Sequence, residues 1–196
     1  MDNLYTPEHA PVNESEMFNF NFNQLLNSKS FVKVVIVNSV SDDGKTVAVT
    51  PLVKKVDAIG TPIDNSTVYG IPVAVHQGGK NAVLNPPAVG DIGLILVSDN
   101  DISAVKSSKS ASLATTKRTH NLSDGVYLMS ILGGDPSQYI KFNESGIEIK
   151  STGDVNINGL KISPSGTLTL VDGSVVDKHT HGGVESGSST TNPLGA

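Results

Sequence analysis

The chain has 196 residues, no cysteine and a formal net charge of -5. These values exclude disulfide staples and thiol chemistry, give no basic footprint for nucleic acid or an anionic membrane surface, and accompany no apolar run near the length of a membrane-spanning helix. Nineteen Gly and ten Pro, with many Ser, Thr, Asn and Val, favour strands and turns, so the predicted fold class is all-β.

Residues 1–28 are polar and Asn-rich and are expected to form an N-terminal docking segment. MDNLYTPEHAPVNESEM is acidic and lacks the charged and apolar regions of a signal peptide, so synthesis in a cytoplasm is expected. Phe18, Phe20 and Phe22 alternate with Asn at the period of a strand, while Leu25 and Leu26 could close a helical turn.

Residues 29–103 carry the pattern of a small β-barrel. FVKVVIVNSV is a long β-branched run, and Ser41-Asp42-Asp43-Gly44-Lys45 is a hairpin turn leading into TVAVTPLVKKV. YGIPVAVHQ, NAVLNPP and IGLILVSD follow, separated by Gly78-Gly79 and Val89-Gly90-Asp91. Five strands with such turns predict a five-stranded Greek-key barrel of the OB type. Asp42-Asp43 and Asp99-Asn100-Asp101 lack the spaced oxygen ligands of a calcium loop and read as turns. His76, His120 and His9 are assigned no ligand role.

Residues 104–137 are rich in Ser, Thr and Lys and are expected to be a solvated connector or collar. The cations are too few, and no aromatic is interleaved for base stacking, so nucleic acid is not an expected partner.

Residues 138–176 contain short alternating pieces: Ile147 and Ile149, Val155 and Ile157, Leu160 and Ile162, Leu168 and Leu170. Asn-Gly, Ser-Pro-Ser-Gly and Val-Asp-Gly turns separate them. Each piece has one apolar and one polar face, and so short a set cannot bury its apolar faces alone. Three chains wound together would bury that stripe along a common axis, so an intertwined trimeric β-helix or β-prism is predicted over a single-chain solenoid.

Residues 177–196, DKHTHGGVESGSSTTNPLGA, begin with two histidines flanking one threonine. In an extended chain His179 and His181 point to one side. Two imidazoles hold a transition metal poorly, but three chains would supply six, an octahedral shell. That set suits divalent iron, nickel or cobalt better than four-coordinate zinc, and a filled shell is structural rather than catalytic. The competing reading is a surface pair in a loose tail. Paired carboxylates, a nucleophile elbow, a P-loop and a dinucleotide fingerprint are not found, so the chain is not expected to be an enzyme.

Three stretches carry a family resemblance. VNSVSDDGKTVAVTPLVKK with PPAVGDIGLILVSDNDI resembles an N-terminal OB domain, RTHNLSDGVYLMSIL resembles the segment joining it to a β-helix, and HTHGGVESGSSTTNP is similar to a spike apex. Together they resemble the central membrane-piercing baseplate spike of contractile-tailed bacteriophages and related injection machines. The resemblance implies a homotrimer, one iron ion per trimer held by His179 and His181 of each chain, tail hub and tube proteins as partners, and a place at the virion's tail tip. It also implies a mechanical role, piercing the host outer membrane during sheath contraction. Two alternatives stay open. One is a trimeric receptor-binding fibre, which the absence of Trp, Tyr and Phe from the last fifty residues disfavours for glycan stacking. The other is a metal-dependent hydrolase on an OB-type module.

Overall fold

The computed structural model describes residues 14–57 and 59–178, apart from the side chains of Asn27 and Asp177. The chain divides into two compact units between Gly134 and Asp135.

The first unit opens with helix α1, Glu14–Ser28. The Phe-Asn alternation, which suits a strand, is helical from Glu14 onward. A second period explains this: Phe18, Phe22, Leu25 and Leu26 recur at i, i+4, i+7 and i+8, one stripe of a helix. Glu14 and Glu16 lie in the first turn, where they complement the exposed backbone N–H groups.

The Ser41 to Lys45 turn forms as its composition predicts. Gly44 has φ +68, and the Asp43 carboxylate accepts from the Ser41 hydroxyl at 2.8 Å and the Lys45 N–H at 3.1 Å. It joins β1, Val32–Val40, to β2, Thr46–Pro51. The second strand stops at Pro51, short of the predicted run. The Asn65 amide donates to the Pro51 and Val53 carbonyls, and β3 (Lys55–Val56) pairs instead with β4 (Pro62–Ile63) in a side hairpin. Next come β5 (Val68–Pro72), a hairpin of β6 (His76–Gly78) and β7 (Asn81–Val83), and β8 (Ile92–Val97). Helix α2 spans Ser103–Ser108, and a 3-10 turn at Leu122–Asp124 leads into β9, Gly125–Ser130.

Five strands form one antiparallel sheet in the order β5-β2-β1-β8-β9. Register shifts at Val37/Ser39, Val47/Val49 and Leu94/Ile95 increase its local twist. The sheet curls into a half-barrel until its outer strands touch: Val73 forms a parallel bridge with Tyr127, and the Ala74 N–H donates to the Tyr127 carbonyl at 2.7 Å. Inside lie Val35, Val37, Val47, Val49, Ile71, Ile95, Val97 and Tyr127.

Two strand assignments change. Asn81–Val83, expected in the barrel sheet, pairs only with β6, and all three residues are exposed. The fifth sheet strand is Gly125–Ser130, within the segment expected to be a connector. Its Tyr127 is 1 % exposed; the hydroxyl lies 3.0 Å from the Ser130 hydroxyl, which donates to Asp91 at 2.9 Å. Gly93 makes room for this ring, since a Cβ there would overlap the Tyr127 hydroxyl and ring edge.

The second unit is also β. β10 (Tyr139–Asn143) and β11 (Gly146–Lys150) form a hairpin, and β12 (Val155–Ile157), β13 (Leu160–Ile162) and β14 (Leu168–Thr169) form an antiparallel meander. The turn signals hold: Asn158-Gly159 takes φ +51 and +95, and the Gly166 N–H donates to Ser163 at 2.9 Å. The predicted β-helix is not seen among the described residues of this single chain, whose strands pair locally.

Candidate functional site

The register of the second unit sorts its side chains by face. Cross-strand partners Ile140 and Ile149, and Phe142 and Ile147, share one face of the β10–β11 hairpin. The other face pairs Tyr139 with Lys150 and Lys141 with Glu148. The polar face satisfies itself. The Tyr139 hydroxyl donates to Glu148 at 2.6 Å, an interaction that raises the phenol's pKa, and the Lys150 ammonium stands 5.9 Å from the Tyr139 ring centroid.

The apolar face has no such cover. Ile140, Phe142, Ile147 and Ile149 are between 56 % and 76 % exposed. In the meander, Val155 pairs with Ile162 and Ile157 with Leu160, and Ile162 also meets Leu168, again on one face. Of these, Ile157, Leu160 and Ile162 are exposed. Chemically such a face has no reactive group; what it can do is associate with another apolar surface.

The predicted metal ligands His179 and His181 lie outside the described residues. Among the described residues no group of three or more His, Asp or Glu side chains could hold a metal ion, and no helix is long and apolar enough to cross a membrane. His76 is exposed on β6. His120 packs on Phe31 with centroids 4.5 Å apart, and its Nδ1 lies 3.6 Å from Asp99.

A charged cluster that the sequence reading did not identify holds the first unit's connector in place. Arg118 donates to Asp124 at 2.7 and 2.9 Å and to Asp101 at 2.6 Å. Thr115 and Thr116 donate to the other Asp101 oxygen at 2.9 and 2.8 Å. Hydrogen bonds from the Ser103 hydroxyl and backbone N–H hold Asp101 far below the usual carboxylate range, and the Arg118 guanidinium holds Asp124 down. Arg118, expected in a solvated loop, instead ties α2 and the 3-10 turn to the end of β8. Both carboxylates are buried and fully engaged, so the cluster is a structural lock. Its signal in the sequence was an Arg between Asp101 and Asp124, which spacing alone does not distinguish from surface charge.

Helix α1 is a second uncovered surface. Each of its described side chains is exposed, and Phe18 stacks on Phe22 with centroids 6.1 Å apart.

Comparison with known families gives a match to part of the chain. Residues 34–130 match the family model of the phage protein Gp138 N-terminal domain. The matched span begins in β1 and ends at Ser130, the last residue of β9, so it takes in all of β2, β5, β8 and β9 of the curled sheet. It supports a phage tail- or baseplate-related protein, and with it a virion component. No curated protein matches the chain.

Proposed function

We propose that the chain is the central spike of a contractile phage tail or related injection machine, a homotrimer that pierces the host outer membrane. The observation that carries this reading is the uncovered apolar face of Ile140, Phe142, Ile147 and Ile149, set back to back with a self-satisfied polar face. A two-stranded hairpin of this kind is marginal in water on its own. Three copies turning these faces to a common axis bury them together, leave the polar faces to solvent, and give a narrow shaft from residues 138–176. The phage-domain match supports the same direction.

In the first unit, the strand order and the parallel Val73–Tyr127 bridge support an OB-type barrel, the part that would dock on tail hub and tube proteins. On this reading the work is mechanical: contraction drives the shaft forward, no covalent bond is made, and the chain is not an enzyme. A shaft held by main-chain ladders and a buried apolar axis resists separation because many weak contacts must fail together.

The apex would be fastened by iron. The donor chemistry fits, since neutral imidazoles are good ligands for first-row divalent ions and six of them suit iron, nickel or cobalt. His179 and His181 of each of three chains would hold it, and the bound ion would supply a structural tie between the three chains.

The test is mass in solution by light scattering and metal content by elemental analysis on one purified sample. A trimer with one iron for every three chains is expected. A metal-free monomer overturns the reading.

A further inference from the structure

Asn158 and Gly159 form the two-residue turn between β12 and β13, closed by the pair Ile157 and Leu160. Both residues take left-handed backbone, with φ +51 at Asn158 and +95 at Gly159. A two-residue turn with positive φ at both positions selects Asn-Gly, because asparagine tolerates that region and glycine enters it without strain. Space holds Gly159 as well, since a Cβ there would stand 3.2 Å from Val171 Cγ2. The fold therefore calls for Asn-Gly at this turn, and no other Asn in the sequence precedes a glycine.

The same dipeptide is open to attack by its own backbone. The Gly159 nitrogen can lose its proton to solvent base and add to Cγ of the Asn158 side chain. A bond forms between that nitrogen and Cγ, the bond from Cγ to Nδ2 breaks, and Nδ2 takes a proton from water and leaves as ammonia. The product is a five-membered succinimide. Water then opens the ring at either carbonyl, leaving aspartate or isoaspartate. Glycine in second place carries no side chain to shield the nitrogen, and Asn158 is exposed to water.

A neighbour intervenes. The Gly159 N–H donates to Asn156 Oδ1 at 2.9 Å. This is the proton that must leave before the nitrogen can attack, so the bond has to break first. Asn156 pairs across the ladder with Lys161, on the face opposite Ile157 and Leu160. The contact is thus separate from the apolar face.

We infer that Asn158 is a self-modification site and that Asn156 holds its conversion back. The co-reactants are water and hydroxide alone. Conversion puts a carboxylate into the turn, and isoaspartate adds a backbone atom that a two-residue loop has no room for, so the β12–β13 ladder loses its closure. An amide hydrogen bond of ordinary net strength, broken before reaction, slows the step about fivefold. The inference does not depend on the trimer proposed above.

The experiment ages the full chain in mildly alkaline buffer beside Asn156→Ala and Asn156→Asp, and follows the amide-to-acid mass gain at Asn158 by peptide mapping. Conversion is expected about fivefold faster in Asn156→Ala and close to the original rate in Asn156→Asp, whose carboxylate still accepts from Gly159. Hydrogen exchange across β12 and β13 checks that the ladder survives in each variant. With the ladder intact, equal rates for Asn156→Ala and the unaltered chain, or a fast Asn156→Asp, overturn the role of Asn156. As a measure free of substitutions, the unaltered chain unfolded in urea should convert faster than the folded chain; an equal rate overturns that role whatever the variants do. No conversion at Asn158 even in the unfolded chain overturns the site itself.

Discussion

Phe142 gives the sharpest test of whether, and through which face, three chains associate as proposed. In the single chain its side chain is 76 % exposed, on the same face as Ile140, Ile147 and Ile149. Fully burying a phenylalanine is worth up to about 3 kcal/mol, so covering the three-quarters still open contributes about 2 kcal/mol per chain. A trimer buries three such rings, about 6 kcal/mol in all, or roughly four powers of ten in its association constant. Because a trimer's midpoint concentration varies as the square root of its dissociation constant, Phe142→Ala should raise that midpoint about a hundredfold. Sedimentation equilibrium over a concentration series reads this directly. Lys141→Ala, one residue away on the opposite face, is the matched control and should leave the midpoint in place. Equal shifts for the two variants, or none for Phe142→Ala, would refute the assignment of the association face.

Other expectations follow from the rest of the chain. Asp101 and Asp124 have depressed folded-state pKa values, so their stabilising contribution is complete above the ordinary carboxylate range and is lost as protons return. Urea midpoints should therefore be steady from neutrality to about pH 5 and fall below about pH 4, and Asp124→Asn should lower the neutral midpoint while blunting the acid decline. Gly93→Ala places a methyl group into the Tyr127 ring and should cost about 1–3 kcal/mol in thermal or urea unfolding, the usual range for overpacking. Replacing His179 and His181 by Ala should abolish bound metal in elemental analysis yet leave the trimer by light scattering; loss of the trimer would mean that the metal, not the shaft, holds the chains. Acidification through the imidazole range should release the metal, because the ligands must be neutral.

The strands that were legible in the sequence share a property: their turns are chemically explicit. Val32–Val40 and Thr46–Pro51 flank an Asp-Gly turn, and Val155–Ile157 and Leu160–Ile162 close on Asn-Gly. The strand that was missed, Gly125–Ser130, sits beyond a long polar loop. It is anchored by Tyr127 against Gly93, a contact between residues far apart in sequence. Asn81–Val83 misled for the converse reason: its local pattern suits a strand, but strand membership of the barrel is decided by long-range pairing. Helix α1 carries two periods at once, Phe-Asn at two and Phe18-Phe22-Leu25 near three and a half, and only the second is realised. The two-faced character of the pieces between Ile147 and Leu170 was readable from alternation, whereas Ile140 and Phe142 on the same face were not picked out. The binding of Asp101 and Asp124 by Arg118 was not, because an ion cluster has no period.

The seam of the curled sheet has a consequence of its own. Neighbouring strands elsewhere in it are joined by ladders several residues long, whereas β5 and β9 meet at one parallel bridge and one hydrogen bond from Ala74. Local opening follows the path that breaks the fewest bonds. The half-barrel should therefore behave as a clasped ribbon: the seam can part and reclose while the ladders stay paired, and the Ala74 amide should exchange its hydrogen well before the amides of β1.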